Sequence, residues 1–258
     1  MNLKKLKNST LSRPLRYVIY GQEGVGKSTL VSGSNGLWID VEDGAGLLDV
    51  SRIPFEDGHA SSYAQVIEAL EAILTQEHDF KTIVIDTVDR LESLIWKHIC
   101  DKSGGQHKNI ESWGYGRGYS LALAEWRHLA GILDNLRNKR NISIVLIAHS
   151  YIRTFRNPEG DDYDRYQLRL HEKAAGFIKE WADVVAFMKF DEGASKLSGE
   201  SKAKGYNSGR RYAYTRRRAA FDAKSRLPLA EEIEIKGKES WAQMTTETAP
   251  KANTTNPF

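Results

Sequence analysis

Short runs of apolar residues recur along this chain, and each run ends in polar or glycine residues. Five of them lie at residues 16–20, 37–41, 81–87, 142–148 and 183–190. Their length and their content of Val and Ile are typical of β-strands, and a run that is apolar throughout is typical of a strand buried on both faces. The pattern therefore predicts a mostly parallel central sheet.

Between these runs, apolar positions recur with helical spacing. The predicted helices are residues 27–32, 61–77, 88–100, 121–138 and 171–181. Strands that alternate with helices predict an α/β fold in which helices flank the sheet. Two further short runs, at residues 210–218 and 232–236, predict C-terminal antiparallel strands added to that sheet.

The two ends of the chain differ in composition from the middle. Residues 1–15 are basic with little apolar periodicity, so we expect a flexible arm; its alternative role is contact with a neighbouring subunit or with nucleic acid. Residues 241–258 contain mostly Thr, Asn, Ala and Pro from Thr245 onward, so we expect a disordered tail. Residues 16–240 would then form one domain.

Composition limits the classes of function. The chain has 258 residues and a net charge of only +3, so a nucleic-acid surface would need local clusters of basic residues. Because no apolar run reaches about 18 residues, we expect no membrane span and no membrane partner. Cys100 is the only cysteine, which excludes an internal disulfide and fits a reducing cytoplasm.

The segment after the first predicted strand carries the clearest chemical signal. It matches Gly-x-x-x-x-Gly-Lys-Ser/Thr, in which glycines let backbone N–H groups turn toward phosphate oxygens. Lys27 is predicted to reach the β- and γ-phosphates and Ser28 to hold Mg²⁺. The alternative is a glycine-rich turn that matches by chance. The predicted phosphate-binding loop comprises Gly21, Gln22, Glu23, Gly24, Val25, Gly26, Lys27, Ser28 and Thr29.

Acidic residues follow two of the predicted parallel strands, where ligands bind in open α/β sheets. Asp86 is predicted to hold Mg²⁺ through a water, because this ion keeps several waters in its shell; the alternative is a cap for the next helix. If the bound nucleotide is hydrolysed, a water molecule must attack its γ-phosphate. Glu42 is the first candidate for orienting or deprotonating that water, and Asp40 is the second. The alternatives for Glu42 are a surface acid and a ribose contact.

Two segments break the regular pattern and combine aromatic with basic residues. Residues 101–120 contain five glycines and three large aromatic residues, and residues 150–170 are rich in Tyr and Arg. Single-stranded nucleic acid binds by stacking its bases on aromatic rings and pairing its phosphates with cations. The acids at 159–164 would repel DNA phosphates and so count against DNA binding by the second segment. The alternatives to DNA binding are a protein contact or a lid over the nucleotide. The predicted DNA contacts are Trp113, Tyr115, Arg117, Tyr119, Arg153, Phe155, Arg156 and Arg165.

Taken together, these motifs resemble those of the RecA-like recombinase ATPases. The resemblance covers residues 15–236 and includes the phosphate loop, the segment Trp38-Ile-Asp-Val-Glu42, and the strands ending in Asp86 and His149. The compact size is most similar to phage-encoded RecA-fold ATPases of the single-strand annealing family. The resemblance implies a RecA-like P-loop core, ATP and Mg²⁺ as cofactors, and a homo-oligomeric ring or filament with nucleotide at subunit interfaces. It also implies single-stranded DNA and a single-strand-binding protein as partners.

The same resemblance implies further catalytic residues. His149 takes the place of a γ-phosphate sensor that is usually Gln or Asn, and the loop after it would change order with nucleotide state; the alternative is a histidine that only completes the strand end. Lys224 and Arg226 resemble a Lys-x-Arg motif that reaches a neighbouring subunit's nucleotide; the alternative is a solvated basic turn. Lys173 and Lys179 are weaker candidates for that role.

These features predict an Mg²⁺-dependent, DNA-stimulated ATP hydrolase. It would bind single-stranded DNA and promote annealing or recombination in phage DNA metabolism, in the host-cell cytoplasm. The alternative from another class is a RecA-fold ATPase that remodels or loads a protein partner, as helicase loaders do. A small-molecule kinase is less favoured, because the sequence shows no separate arginine-rich lid.

Overall fold

The computed structural model describes residues 13–195 and 204–246 and centres on one ten-stranded sheet. Residues 1–12 of the predicted arm and 247–258 of the predicted tail lie outside the described residues. The strands are β1 (Arg16–Gly21), β2 (Leu37–Asp40), β3 (Ser51–Arg52), β4 (Thr82–Asp86), β5 (Ser143–Phe155), β6 (Tyr163–Leu168), β7 (Val184–Ser195), β8 (Lys204–Tyr214), β9 (Lys224–Ser225) and β10 (Glu232–Glu234). The helices are α1 (Lys27–Ser32), α2 (Tyr63–Thr75), α3 (Val88–Lys102), α4 (Arg117–Arg140), α5 (Glu172–Trp181) and α6 (Trp241–Thr245).

The strands are ordered β10-β8-β7-β1-β5-β4-β2-β3 across the sheet, with β6 beside β5 and β9 beside β7. The central strands from β7 to β3 are parallel, whereas β8, β9 and β10 pair in antiparallel fashion. The predicted α/β fold class is thereby confirmed: the central sheet is mostly parallel, helices flank it, and the C-terminal strands are antiparallel. Because parallel strands share one direction, the C-terminal ends of β1, β2 and β4 meet at the same edge.

Helices cover both faces of the sheet, which explains the uninterrupted apolar strands. Alternate residues of β1 enter two separate cores: Val18 and Tyr20 pack with α2 to α5, whereas Tyr17 and Ile19 pack with α1 and α6. Successive strand side chains point to opposite faces, so a central strand must be apolar at every position. This burial fixes the positions of the polar residues that follow each strand.

The predicted boundary at residue 240 falls directly before α6. Trp241 and Met244 of this helix are buried, and the Trp241 ring lies 5.2 Å from the ring of Tyr17. The folded part of the chain therefore includes residues 241–245. Within the residues that the structure describes, no helix is long and apolar enough to cross a lipid bilayer.

The prediction of an irregular segment at residues 150–170 is wrong. β5 continues past His149 as far as Phe155 and pairs with β6 in an antiparallel hairpin, from Ser150 opposite Leu168 to Phe155 opposite Tyr163. The first of these strands is rich in residues that favour strands, and the Asn-Pro-Glu-Gly sequence at 157–160 is typical of a turn. We call residues 150–168 the β5–β6 hairpin.

The segment at residues 101–120 is also more regular than predicted. α3 ends at Lys102, a single 3₁₀ turn forms at Ile110–Trp113, and α4 begins at Arg117 rather than near residue 121. Gly116, in the left-handed region at φ 68°, precedes the first turn of α4. Half of this segment is therefore helical, although most of its residues remain exposed.

Candidate nucleotide-binding site

A cleft of about 450 Å³ opens at the C-terminal ends of β1, β2 and β4, beside β5. It contains the predicted phosphate loop on one side and acidic residues on the other. The cleft is lined by Gly24, Gly26, Lys27, Ser28, Thr29, Glu42, Gly44, Leu48, Asp86, Thr87 and His149. The sheet topology thus brings together residues that are more than 120 positions apart in the sequence.

The phosphate loop has the backbone that its glycines predict. Gly24 and Gly26 have φ angles of 71° and 89°, a region that other residues rarely adopt, and α1 begins directly afterwards. The buried Lys27 ammonium donates to the carbonyls of Gln22 at 2.9 Å and Gly21 at 3.3 Å. Burial lowers the pKa of Lys27, although nearby carboxylates act in the opposite direction. The loop therefore holds a cation at its centre.

Ser28 and Asp86 form the second part of the cleft. The Ser28 hydroxyl donates to Asp86 Oδ2 at 2.7 Å, and the Asp86 carboxyl group is buried. Burial raises the pKa of Asp86 to about 6, with repulsion from Asp40 and Glu42 adding to the shift. A hydroxyl and a carboxylate are hard oxygen donors that suit Mg²⁺, and a buried acid with this shift gains most from a nearby cation. The residues present therefore fit the predicted ion.

The two acids after β2 have different environments. The buried Asp40 carboxylate accepts backbone N–H groups of Glu42 at 3.0 Å and Ala45 at 3.1 Å, so it organises the turn. Glu42 is exposed, and its Oε2 accepts the Thr87 hydroxyl at 2.6 Å across the cleft. Glu42 is thus free to meet a ligand, whereas Asp40 is already engaged.

His149 lies where β5 passes the cleft, and an acid of α3 holds it. Asp89 accepts both the backbone N–H of His149 at 2.9 Å and its Nδ1 at 3.0 Å. Burial alone would raise the pKa of Asp89, but the hydrogen bonds from His149 outweigh burial and place it below its ordinary value. Asp89 escaped the sequence analysis, although its place three residues after Asp86 in the first turn of α3 was a usable signal.

Lys224 and Arg226 lie away from the cleft. The Arg226 guanidinium donates to Asp183 at 2.7 Å, and Lys224 Nζ donates to the carbonyl of Glu180 at 3.2 Å. Asp183 precedes β7 and bonds the backbone of Arg16, which begins β1, whereas the phosphate loop follows the other end of that strand. Six strand residues span roughly 20 Å. The structure therefore does not bring this pair to the cleft of its own chain.

The weaker basic candidates are also engaged elsewhere. Lys179 donates to Asp222 at 2.7 Å, and Lys173 donates to the hydroxyl of Ser120 at 2.9 Å. Neither residue lines the nucleotide cleft.

The four predicted DNA contacts in residues 101–120 differ in whether they pack against the fold or face solvent. Trp113 stacks on His107 with ring centroids 3.9 Å apart, and Tyr119 stacks on His171 at the same distance. Tyr115 is fully exposed, and Arg117, the first residue of α4, is exposed as well. Only half of these four residues are therefore free to meet a large ligand.

The second group is divided in the same way. Arg165 is buried and pairs with Asp222 at 2.7 Å, and its guanidinium lies 4.9 Å from the ring centre of Phe155. Arg153 and Arg156 are exposed on the β5–β6 hairpin. The exposed cations of this hairpin are thus separate from the arginine that stabilises the fold.

Two basic residues near the phosphate loop were missed by sequence reasoning. A Cβ atom added to Gly26 would meet the guanidinium of Arg211, which therefore lies against the loop. Arg169, just after the hairpin, pairs with Glu23 of the loop at 3.2 Å. Both partners are more than 140 positions distant, so no local pattern could have revealed either contact.

No curated protein matches the chain. The crystal structure of the RadB recombinase is similar over 81% of this chain and 84% of that chain, with 16% sequence identity and a TM-score of 0.39. A family model described as an AAA domain matches residues 13–227, and the chain therefore belongs to the AAA domain family.

Proposed function

We propose that this chain is an Mg²⁺-dependent ATPase of the RecA-like type that binds single-stranded DNA and promotes annealing or recombination. One observation carries the proposal: Lys27, Ser28, Asp86, Glu42 and His149, predicted separately from the sequence, line a single cleft. Membership of the AAA domain family supports nucleotide binding. ATP is favoured over other nucleotides by the RecA-like resemblance alone.

The cleft provides each function that phosphoryl transfer requires. The loop N–H groups and Lys27 would bind the β- and γ-phosphates, in place of the loop carbonyls that Lys27 contacts. Ser28 and Asp86 would hold Mg²⁺, which supplies positive charge against the phosphate oxygens. Glu42, exposed and oriented by Thr87, would hold the attacking water. We infer that Arg211 helps to fix the loop from behind Gly26.

The β5–β6 hairpin supports single-stranded DNA as the partner. It is continuous with the strand that carries His149, and it presents Arg153 and Arg156 to solvent. Tyr115 adds an exposed ring on which a base could stack. A phage origin, action in the host-cell cytoplasm, a homo-oligomer with nucleotide at its interfaces and a single-strand-binding protein as partner follow from the resemblance. Lys224 and Arg226 would act only across such an interface.

The test is the ATPase rate with and without oligo-dT at two salt concentrations. We expect stimulation that weakens at high salt, because phosphate contacts release counterions. Lys27→Ala should abolish turnover, whereas Glu42→Gln should retain bound nucleotide and lose hydrolysis. Unchanged turnover in Lys27→Ala would contradict the nucleotide site itself. Normal basal turnover with no response to DNA would contradict only the choice of partner.

A protein partner is the second candidate function, and the hairpin surface favours it in one respect. Ile152 is 58% exposed on the hairpin, and acids at 159–164 reduce its positive charge. A single exposed apolar residue is common on protein surfaces, so the acids that reduce the positive charge of the hairpin are what favours a protein over DNA as its partner. ATPase stimulation by a protein such as a replicative helicase, lost in Ile152→Asp and retained in Arg153→Ala, would support this function.

A further inference from the structure

The contact between Asp89 and His149 fixes more than the position of a ring. One carboxylate oxygen accepts the His149 backbone N–H at 2.9 Å, and the other faces ring atom Nδ1 at 3.0 Å. Both side chains are largely buried, with 12% and 14% exposure. A ring held at its backbone and at one nitrogen has little freedom to rotate.

The same contact determines which ring nitrogen carries the proton. A carboxyl group is ordinarily ionised at neutral pH, and Asp89 already accepts the backbone N–H of His149 with one oxygen, so its carboxylate can only accept hydrogen bonds. Nδ1 of His149 must then be the donor. In a neutral imidazole only one nitrogen carries a proton, so Nε2 has a free lone pair.

The position of Glu42 indicates what that lone pair would meet. A carboxylate oxygen of Glu42, one of Asp89 and a ring nitrogen of His149 all lie within 4.8 Å of one another. Two hydrogen bonds of about 2.8 Å that meet at one water oxygen span roughly 4.5 to 5 Å. Glu42 and the His149 ring are therefore close enough for one water molecule at the edge of the cleft to contact both.

We propose that Asp89 fixes the Nδ1–H tautomer of His149, so that Nε2 accepts a proton from the attacking water rather than donating to a γ-phosphate oxygen. The proposal rests on the proposed ATPase function and assigns a different role to the residue in the sensor position. His149 is the catalytic residue, and Asp89 is a positioning residue that acts through it.

The reaction step balances as follows. A proton of the water moves to Nε2 of His149, and the ring becomes an imidazolium that the Asp89 carboxylate stabilises. The water oxygen forms a bond to the γ-phosphorus, and the bond from that phosphorus to the bridging oxygen breaks. The bridging oxygen leaves with its electron pair as part of ADP. Glu42 accepts a hydrogen bond from the second hydrogen of the water. This contact keeps the lone pair of the water oxygen directed at phosphorus.

A donor role for His149 would require a different arrangement. A neutral ring that donates from Nε2 needs a hydrogen-bond donor at Nδ1, and an ionised carboxylate is an acceptor only. Gln, which the resemblance places at this position, can donate without such a constraint. The Asp89–His149 pair therefore offers an acceptor at Nε2, whereas the Gln side chain that the resemblance places at this position offers a donor.

Asp89→Asn tests the tautomer with little change of shape. The Asn oxygen can still accept the His149 backbone N–H, while its amide nitrogen would donate to Nδ1 and move the ring proton to Nε2. The readout is the ¹⁵N NMR of the ring nitrogens in free protein, in EDTA so that no cation binds the three ligand atoms. His149→Gln identifies the signals of this ring among the seven histidines.

We expect protonated Nδ1 in the wild-type chain and protonated Nε2 in Asp89→Asn. A wild-type ring protonated at Nε2 overturns the proposal, whatever the ATPase activity. This measurement needs no turnover, so its failure is distinct from failure of the proposed function, which would appear as a wild-type chain that neither binds nor hydrolyses ATP.

The catalytic consequence is measured on the same variants. We expect kcat of Asp89→Asn to fall about 10²- to 10⁴-fold, the range of general base catalysis, with ATP affinity unchanged. Asp101→Asn, the same substitution at an exposed position of α3, is the matched control and should retain kcat. A reversed tautomer with kcat retained would overturn the role of His149 as base. Thermal melting and ADP binding confirm that each variant is folded.

Discussion

Residues 101–120 and the β5–β6 hairpin both combine aromatic with basic residues but use their side chains differently. In the first segment, the rings of Trp113 and Tyr119 stack on histidines of the same chain, and of the four predicted DNA contacts there only Tyr115 and Arg117 are exposed. In the hairpin, Arg165 is buried against the ring of Phe155, whereas Arg153 and Arg156 are exposed. The first segment therefore uses its rings mainly within the fold, whereas the hairpin exposes charged residues, of which Arg153 lies 3.9 Å from Glu172.

This difference shows that aromatic and basic residues mixed in a segment do not by themselves identify a nucleic-acid surface. A ring stacked within the fold contributes to stability and is not available to a base. An exposed ring or cation contributes little to stability and is available to bind DNA. Each candidate can therefore be assigned by comparing two measurements, the free energy of unfolding and the affinity for DNA.

The largest effect is expected from Arg165→Ala, on stability. The substitution leaves the Asp222 carboxylate with fewer cations and removes the ring contact with Phe155. We expect the free energy of unfolding to fall by about 2 kcal/mol, because an ion pair and a ring contact are lost while Lys179 still pairs with Asp222. Urea denaturation measures it, with Arg153→Ala as the exposed control. Native stability combined with weakened DNA binding would instead place Arg165 on the DNA surface.

An intermediate effect is expected from the double substitution Arg153→Ala and Arg156→Ala, on affinity. Loss of two phosphate contacts should weaken oligo-dT binding about tenfold at low salt and reduce the salt slope by about 1.4. Fluorescence anisotropy over a salt series measures both quantities. The matched control replaces Arg216 and Arg218, which are exposed and paired with Glu231 and Glu232, as Arg153 is paired with Glu172. An equal loss in that control would indicate a general charge effect and remove the hairpin from the DNA path.

The smallest effect is expected from Tyr115→Ala, also on affinity. Loss of one stacking surface should cost about 1 kcal/mol, or about fivefold in Kd, with no loss of stability. Tyr115→Phe keeps the ring and should retain affinity. If the Phe variant binds as weakly as the Ala variant, the hydroxyl rather than the ring makes the contact, and stacking is excluded.

The core of the fold could be predicted because its signals are local. An apolar run shows that a strand is buried on both faces, and the glycine spacing of the phosphate loop has a direct backbone cause at Gly24 and Gly26. The β5–β6 hairpin was missed because its strands are half exposed and interrupted by charges. Its Tyr, Ile, Thr and Phe residues and its Asn-Pro-Glu-Gly turn were nevertheless sufficient to predict a hairpin.

The site could be predicted only as far as each residue lies in a recognisable motif. Lys27, Ser28 and Asp86 lie next to the strand ends that position them. Arg211 reaches the phosphate loop from an antiparallel strand at the far end of the sequence, and its role depends on the order of strands in the sheet. Such contacts are decided by topology, which periodicity does not specify.

Because β5 runs without interruption from the cleft into the hairpin, a tilt of the strand at the cleft would also move the hairpin. From His149 to Phe155 the strand would span roughly 20 Å, and antiparallel pairing stiffens it along its length. A tilt of roughly 10° at the cleft would therefore move the far end of the hairpin by about 3 Å, close to the rise of one strand residue. A small rotation at the cleft would thus become a larger displacement at the far end of the hairpin. Removing two paired residues should reduce that displacement in proportion to the length removed.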